Sequence, residues 1–244
     1  MIIGKIIMIQ NSSPVDSVEY LISKKTIELK DKIKDYTLNR FIDEIGVSKT
    51  SMVRYLKSIQ IHKFTYFKKI MYEEYRHAEV DMRLAKQTLH ISFQKKEKDI
   101  FEKIMKCQRI LILGDGNRFS LLLYQKGLTY LNYPCEIPVY LGSEEEIIEE
   151  YHLTENDLVI VVSLHETYDN FLANRAIFYR DAKYLELKSK AKIGFIGVSQ
   201  PFDNENLYFE YDIPEENFDL RVVKLQEFFF HMMNYILFHT DIIQ

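Results

Sequence analysis

Apolar residues in the first third of the chain recur at helical spacing and are separated by short polar connections. Pro14, a favourable early helix residue, precedes the first such group. The apolar residues that share a face in two successive predicted helices are Val15, Val18, Leu21 and Ile22, and then Leu38, Phe41, Ile42 and Ile45. The pattern predicts helices with short connections from residue 1 to about residue 82.

A turn and a further helix follow the second of these predicted helices. Thr37 can cap the helix that ends before Gly46, and Ser48 is a strong N-cap candidate for the next one. The next helix is predicted to carry Met52, Val53, Leu56 and Ile59 inward and Lys49, Thr50, Ser51, Arg54, Tyr55 and Lys57 largely outward. The order is therefore helix, tight turn and helix.

From Phe64 to about Lys106 the chain stays helical in pattern, highly charged and free of Gly and Pro. Such a segment can join two folded parts, and the second half of the chain does have a different pattern. We therefore predict an all-α domain over 1–82, a helical linker over 83–106 and a second domain over 107–244.

Short apolar strands alternate with helices in the second domain. The predicted strands are Arg109–Leu113, Ile137–Leu141, Leu158–Val162, Lys192–Val198 and Asn206–Tyr211, and the predicted helices include Leu121–Tyr130, Glu144–Tyr151, Tyr168–Asp181 and Asp219–Thr240. This alternation implies an α/β domain with a mostly parallel sheet, which binds ligands at the carboxyl ends of its strands. The closing helix is apolar on more than one face, which fits either core and subunit interface together or core alone.

The formal net charge of −4 hides an uneven distribution. Residues 1–106 hold 21 Lys and Arg against 14 Asp and Glu, so the remainder of the chain holds 11 against 22. Lys24–Ile70 alone carries 12 basic and 5 acidic residues. The asymmetry favours a module that faces a polyanion joined to one that does not, although solvated faces of unrelated helices would give the same totals.

Composition excludes several classes of protein. A chain of 244 residues with 47% hydrophobic residues can bury one large core or two small ones, so global disorder is excluded. Cys107 and Cys135 lack the spacing of a disulfide framework or a zinc site, and no cofactor or metal is predicted. No apolar run approaches the roughly 18 residues of a membrane span, so we expect a soluble cytoplasmic protein.

The helix, turn and helix at Thr37–Gln60 have the order of a DNA-binding helix-turn-helix. Ser48, Thr50 and Ser51 are short donors at a helix N-terminus, and Arg54 suits a guanine or a phosphate. The candidate DNA-binding residues are Thr37, Ser48, Lys49, Thr50, Ser51, Arg54, Tyr55, Lys57 and Lys63. An ordinary antiparallel helix pair with a basic solvent face is the structural alternative.

The stretch Tyr36–Met71 resembles the N-terminal domain of the RpiR/MurR family of bacterial transcription regulators. The shared positions are Gly46, Val47, Ser48, Thr50, Ser51, Val53 and Arg54, and then Phe64 and Phe67, whereas Lys63 stands where the family usually has Gly. The resemblance implies a regulator, often of carbohydrate uptake or metabolism. It implies a homodimer or homotetramer that binds double-stranded DNA at an inverted-repeat operator.

Two turns that follow predicted strands form the candidate ligand site, the first at Gly114–Ser120 and the second at Ser163–Asn170. Together with the preceding helix-turn-helix, they resemble the sugar isomerase (SIS) domain, whose members bind a phosphosugar with GxGxS-type and SxSGxT-type turns. Arg118 stands where the first turn has Ser, and His165 and Glu166 stand where the second has Ser and Gly. The candidate effector-binding residues are Gly114, Gly116, Asn117, Arg118, Ser120, Ser163, His165, Glu166 and Thr167.

Glu166 puts a side chain and a negative charge where a phosphate needs bare backbone amides. Three interpretations remain open: an altered effector site that uses Arg118 and His165, a scaffold that has lost its ligand, and ordinary phosphosugar recognition. Two functions compete with the regulator. One is a SIS-like protein-interaction scaffold with a helical adaptor, and the other is a sugar-phosphate isomerase that uses His165 and Glu166. We expect no catalysis, because adjacent residues in a turn usually point apart.

Overall fold

A computed structural model of the protein describes residues 2–114, 118–138, 151–167, 190–198, 207–213 and 218–240. The chain divides into two compact units, Met1–Leu89 and His90–Gln244. The first unit is helical, and the second is built on a parallel sheet. The predicted order of a helical part followed by an α/β part is therefore observed.

The first unit contains five α-helices and a single 3-10 turn at Ile33–Asp35. The α-helices are α1 (Ile2–Ser12), α2 (Val18–Glu28), α3 (Leu38–Ile45), α4 (Lys49–Ser58) and α5 (Phe64–Thr88). Its core is formed by apolar side chains from all of these elements, among them Ile3, Ile6, Ile22, Ile33, Phe41, Met52, Phe67 and Met71. Burial of these side chains is the main stabilising contribution to the unit.

Side chains and left-handed residues fix where the helices begin and end. The Thr37 hydroxyl accepts from the Arg40 amide at 3.2 Å, as predicted for the start of α3. Gly46 has a φ of +77°, and the next amide, that of Val47, donates to the Ile42 carbonyl at 3.1 Å. These contacts close the end of α3 in the Schellman manner, which confirms the predicted role of Gly46.

The segment 83–106, which the sequence predicted as a helical linker, contains the end of one helix and the whole of another. The helix α5 ends at Thr88, and a separate helix α6 runs from Lys95 to Met105 in the second unit. Glu97 stabilises the start of α6, because its carboxylate accepts a hydrogen bond from the Gln94 amide at 3.0 Å. The buried side chains of α6 then pack in the second unit: Ile100, Phe101 and Ile104.

Among the described residues, the sheet of the second unit has five parallel strands in the order β2-β1-β3-β4-β5. Their bounds are β1 (Arg109–Gly114), β2 (Cys135–Glu136), β3 (Asp157–Thr167), β4 (Lys192–Val198) and β5 (Phe209–Asp212). Successive residues of β3 from Leu158 to Val162 are all buried, so both faces of the strand are covered. Helices cover a parallel sheet in this way, and the described ones are α6, α7 (Arg118–Tyr130) and α8 (Phe218–His239).

One predicted strand differs from the described structure, and two predicted helices lie outside it. The second strand of the described sheet lies at Cys135–Glu136, where these two residues pair with Ile110 and Leu111 of β1. Of the predicted strand Ile137–Leu141, residues 139–141 lie outside the described residues, and Ile137 and Pro138 are not in a strand. The Cys135 carbonyl also accepts from the Gln125 side chain of α7 at 2.9 Å. The predicted helices over 144–151 and 168–181 lie outside the described residues, apart from Tyr151, which is in a turn.

The helix α8 packs through an aromatic cluster against α6. Phe228 of α8 lies 5.3 Å from Phe101 between ring centroids, and His231 Nδ1 lies 3.0 Å from the buried Glu97 carboxylate. Val223 and Phe230, in contrast, are exposed on the same helix. The expected core contribution of α8 is therefore observed, while a subunit interface on it stays a prediction. In the part of the chain described, no helix is long and apolar enough to cross a bilayer.

Candidate functional site

The short turn over 46–48 presents the N-terminus of α4 at the surface of the first unit. Ser48 caps α4, since its hydroxyl accepts from the Ser51 amide at 3.0 Å. The two hydroxyls, those of Ser48 and Ser51, also lie 2.9 Å apart. Both serines are thus held at the start of the helix by each other, and Lys49 and Thr50 beside them are exposed.

The sequence from the turn before α4 to the first turns of α5 is basic and contains no acidic residue. Residues 46–72 contain six Lys and Arg residues and no Asp or Glu, namely Lys49, Arg54, Lys57, Lys63, Lys68 and Lys69. Arg54 and Lys57 are exposed one turn and two turns into α4. An exposed helix with this charge is suited to contact with the phosphates of a nucleic acid.

The buried face of α4 differs in two residues from the face that was predicted. Met52, Tyr55 and Leu56 are buried, whereas Val53 is 39% exposed. Residues 52, 55, 56 and 59 follow the i, i+3, i+4, i+7 spacing of one helical face, and Val53 lies about 100° away from Met52. The outward prediction for Tyr55 and the inward prediction for Val53 were therefore wrong.

Tyr55 is held inside the unit by a hydrogen bond to another helix. Its hydroxyl lies 2.8 Å from the Ser23 hydroxyl of α2, and both side chains are buried. Burial raises the pKa of the Tyr55 phenol. Tyr55 thus positions α4 on α2 and has no surface with which to reach DNA.

The end of α4 and the start of α5 complete the basic surface. Gln60 has a φ of +65°, and the Ile61 amide donates to the Leu56 carbonyl at 2.8 Å, which closes α4 as Gly46 closes α3. Lys63 has an extended backbone with a φ of −132° and precedes α5 with its side chain exposed. The backbone therefore needs no glycine at position 63, where the regulators that the sequence resembles usually have one.

Not every lysine of this surface is available to a partner. Lys68 donates to the backbone carbonyls of Lys34 at 2.8 Å and Tyr36 at 3.0 Å, so it ties α5 to the segment before α3.

The Glu44 carboxylate lies 3.0 Å from Lys25 Nζ. The hydrogen bond from Tyr36, followed by that from Lys25, lowers the pKa of Glu44. The sequence offered no signal for these long-range pairs.

The strand ends that precede the two candidate ligand turns lie beside each other at the carboxyl edge of the sheet. Gly114 ends β1 and pairs with Val162 of β3, while Ser163 pairs with Gly197 of β4. The helix α7 begins at Arg118, and its first turn includes Ser120. Gly116 and Asn117 lie outside the described residues. The backbone thus brings together the strand ends from which the two predicted turns leave the sheet.

The strand β3 extends into the segment that the sequence predicted as the second turn. β3 continues through His165 and Glu166 to Thr167, with a register shift between Ser163 and Thr167 where it pairs with β4. This extension arises because Thr167 pairs with Val198 after the irregular stretch. His165, Glu166 and Thr167 therefore belong to an irregular strand end in the described structure and not to a free turn.

Arg221 is a residue of this region that the sequence did not single out. Its guanidinium, from the first turn of α8, donates to the Leu164 carbonyl of β3 at 2.7 Å. This places a cation on the segment that carries Ser163 and His165. Arg221 lies 57 residues after Leu164 in the chain, so no local pattern could have revealed the contact. In the described part of the chain, no group of three His, Cys, Asp or Glu side chains could hold a metal ion.

No protein-family profile matches the chain, and no curated protein sequence matches it. Solved structures similar to it include the Vibrio vulnificus NanR protein complexed with ManNAc-6P, at 11% identity and a TM-score of 0.42, covering 95% of this chain and 91% of that one. They include the sugar isomerase domain of an RpiR transcription factor from Sphaerobacter thermophilus, at 13% identity and a TM-score of 0.36, covering 67% and 94%.

A further similar structure is a Methanococcus jannaschii protein for which a 3-hexulose-6-phosphate isomerase function was inferred. It is 12% identical, with a TM-score of 0.38, and the match covers 67% of this chain and 84% of that one. The similar structures thus include a transcription factor and an inferred isomerase.

Proposed function

We propose that the protein is a cytoplasmic DNA-binding transcription regulator, with α3 and α4 as a helix-turn-helix and the second unit as a SIS-like effector and dimerisation domain. This is the function that the resemblance of Tyr36–Met71 to RpiR/MurR regulators implies. We further propose that it controls carbohydrate uptake or metabolism as a homodimer or homotetramer on an inverted-repeat operator. The proposal includes no catalytic activity.

The observation that carries the proposal is the two-sided character of α4. One face, with Met52, Tyr55 and Leu56, is buried in the unit, while Lys49, Thr50, Arg54 and Lys57 are exposed. A recognition helix needs a fixed back and an exposed N-terminal half that can enter the major groove. Arg54 is then the side chain suited to a guanine edge, and the lysines supply attraction to phosphates.

Binding to DNA is tested on the whole chain. Genomic fragments that the protein selects from its own genome supply the operator, and fluorescence anisotropy then measures affinity. Arg54→Ala should weaken operator binding by about tenfold or more, because a good bidentate contact to a base contributes roughly 1–3 kcal/mol. Lys5→Ala removes an exposed basic residue of α1 and should leave the affinity unchanged. A chain without salt-sensitive DNA binding would remove the basis of the proposal.

For the second unit, we propose an altered anionic ligand site at the carboxyl ends of β1 and β3. Two observations support this site: the ends of β1 and β3 pair with each other, and the Arg221 guanidinium donates to the Leu164 carbonyl. A panel of sugar phosphates at millimolar concentration should raise the melting temperature if the site binds one of them, since a ligand of the folded state stabilises it. No shift with any of them would favour the scaffold. Isomerisation of fructose 6-phosphate that His165→Ala abolishes would favour the isomerase.

A further inference from the structure

The C-terminal half of α5 carries an exposed apolar stripe that the first unit does not use. The inward residues of α5 are Phe64, Phe67, Met71, Tyr75 and Glu79, and no side chain of the helix beyond Glu79 is buried. Val80 and Leu84 are 57% and 56% exposed. Two large aliphatic side chains at i and i+4 lie side by side on one helical face and form an exposed apolar surface that favours contact with a partner.

Val80 and Leu84 have the spacing of neighbouring positions in a coiled-coil seam, and the polar residues His77 and Gln87 continue that spacing on either side. His77, Val80, Leu84 and Gln87 are separated by three, four and three residues, so they occupy successive a, d, a and d positions of a heptad. The seam ends toward the N-terminus at Glu73, which pairs with Lys69 on its own helix. We call the four residues His77, Val80, Leu84 and Gln87 the α5 seam.

The charges beside the α5 seam favour one orientation of a partner helix. Arg76 and Arg83 occupy the g positions, and Asp81 occupies the e position between them. In a parallel pair, Arg76 of one copy faces Asp81 of the other, because g contacts the e position five residues further on. An antiparallel pair would bring the basic g positions of the two copies together, which like-charge repulsion disfavours.

We infer that the α5 seam binds the α5 seam of a second copy of this chain, parallel and in register. The complementary charges lie on the two edges of the same helix, so a second copy satisfies both edges at once. Arg76 contacts Glu79 on its own helix and still has a side chain that is 48% exposed, so it can reach a partner. The N-terminal half of α5 is already fixed in the first unit, so pairing does not have to nucleate a helix.

This inference rests on the proposed function only in its consequence for DNA. A parallel pair of α5 helices relates two first units by a two-fold axis, as two half-sites of an inverted repeat require. Association itself is measured without DNA. A chain that pairs through α5 but fails to bind DNA would contradict the proposed function alone, and the reverse result would contradict the seam alone.

Cysteine cross-linking of the full chain tests the seam directly. In a parallel pair, equivalent seam positions approach to within disulfide distance, with Cα atoms about 5.5–6 Å apart. Val80→Cys and Leu84→Cys should each give a covalent dimer on mild oxidation in the absence of DNA. Cys107 and Cys135 are buried, so the unaltered chain supplies the background. Met8→Cys is the matched control, because Met8 is 50% exposed on α1 and off the seam.

Three outcomes would overturn the inference. The first is that neither seam variant forms more dimer than the unaltered chain. The second is that Met8→Cys forms as much dimer as the seam variants. The third is that a mixture of the two seam variants forms more dimer than either variant alone. The last result would show an antiparallel pair. Circular dichroism of each variant tests whether the helices remain intact. We expect that they do, because the substituted positions are exposed on their helices.

The charge pattern is tested in the Val80→Cys background. Asp81→Arg places arginine opposite Arg76 of the other copy in both symmetric contacts, so cross-linking should slow by roughly tenfold at low salt. High salt should reduce the difference, because the charges are exposed. Asp16→Arg makes the same change at an exposed position before α2 and should have no effect. An unchanged or faster rate with Asp81→Arg would contradict the parallel arrangement.

Discussion

The hydroxyl of Tyr55 lies 2.8 Å from the hydroxyl of Ser23, and this buried contact fixes α4 against α2. The helix proposed to read DNA is therefore oriented by a polar bond as well as by apolar packing. A buried hydroxyl that loses its partner is costly because it has given up water. The orientation of α4 thus depends on a residue that the sequence pattern had placed on the outside.

Tyr55→Phe should lower the free energy of unfolding by about 1–3 kcal/mol, because it leaves the Ser23 hydroxyl buried without its partner. The double variant with Ser23→Ala should recover part of this loss, since both polar groups are then gone. Urea unfolding followed by circular dichroism measures both. Tyr66→Phe is the control, because Tyr66 is 58% exposed. Equal losses in Tyr55→Phe and Tyr66→Phe would show that the buried bond contributes nothing.

Lys57→Ala should weaken specific and nonspecific DNA binding alike, in contrast to Arg54→Ala, which should mainly relax specificity. Lys57 is exposed two turns into α4 and suits a phosphate. The slope of log affinity against log salt should fall by about one unit, since one fewer phosphate charge is neutralised. Anisotropy titrations at several salt concentrations on operator and random duplexes give both slopes. An unchanged slope would place Lys57 away from the phosphates.

Gln60→Gly should stabilise the protein by up to about 1 kcal/mol, because Gln60 has a φ of +65° and glycine adopts this conformation without strain. Its side chain is exposed, so little packing is lost. Lys5→Gly, at an exposed position inside α1, should instead destabilise by about 1 kcal/mol or less. Thermal unfolding of the two variants compares them. A loss of stability with Gln60→Gly would mean that the glutamine side chain outweighs the strain.

Acid should destabilise the second unit through Asp157, whose carboxylate accepts from Arg109 at 3.1 and 2.9 Å. Burial raises the pKa of Asp157, but hydrogen bonds from Arg109 and Thr154 outweigh burial and hold it below its usual value. A carboxyl group whose pKa is lowered by folding stabilises the folded state at pH values above its ordinary pKa. This contribution is lost as the pH falls through the range below about 4.

Asp157→Asn should therefore lower stability at pH 7 by about 1.5–3 kcal/mol, the usual contribution of hydrogen bonds to a charged group, and flatten the loss of stability below about pH 4. Denaturant unfolding at a series of pH values measures both effects. Asp99→Asn, at an exposed position of α6, should change neither. A variant that keeps the full acid sensitivity of the unaltered chain would show that other carboxylates cause it.

The sequence by itself determined the local structure of the first unit and the class of the second. Thr37, Gly46 and Ser48 act on their immediate neighbours through caps and a left-handed turn, so their roles could be predicted from position alone. Strand and helix alternation in the second half likewise predicted a parallel sheet, because βαβ connections leave few other solutions.

Only the tertiary structure decided which side chains meet across long separations. The buried face of α4 includes Tyr55 rather than Val53, because the Tyr55 hydroxyl contacts Ser23 on another helix. Arg221 contacts the Leu164 carbonyl, although the two residues are 57 positions apart in the chain. The break after Thr88 and the extension of β3 to Thr167 also depend on packing and strand pairing, which outweigh weak local preferences. Periodicity measures distance along the chain, whereas buried hydrogen bonds and strand registers depend on distances that exist only once the chain has folded.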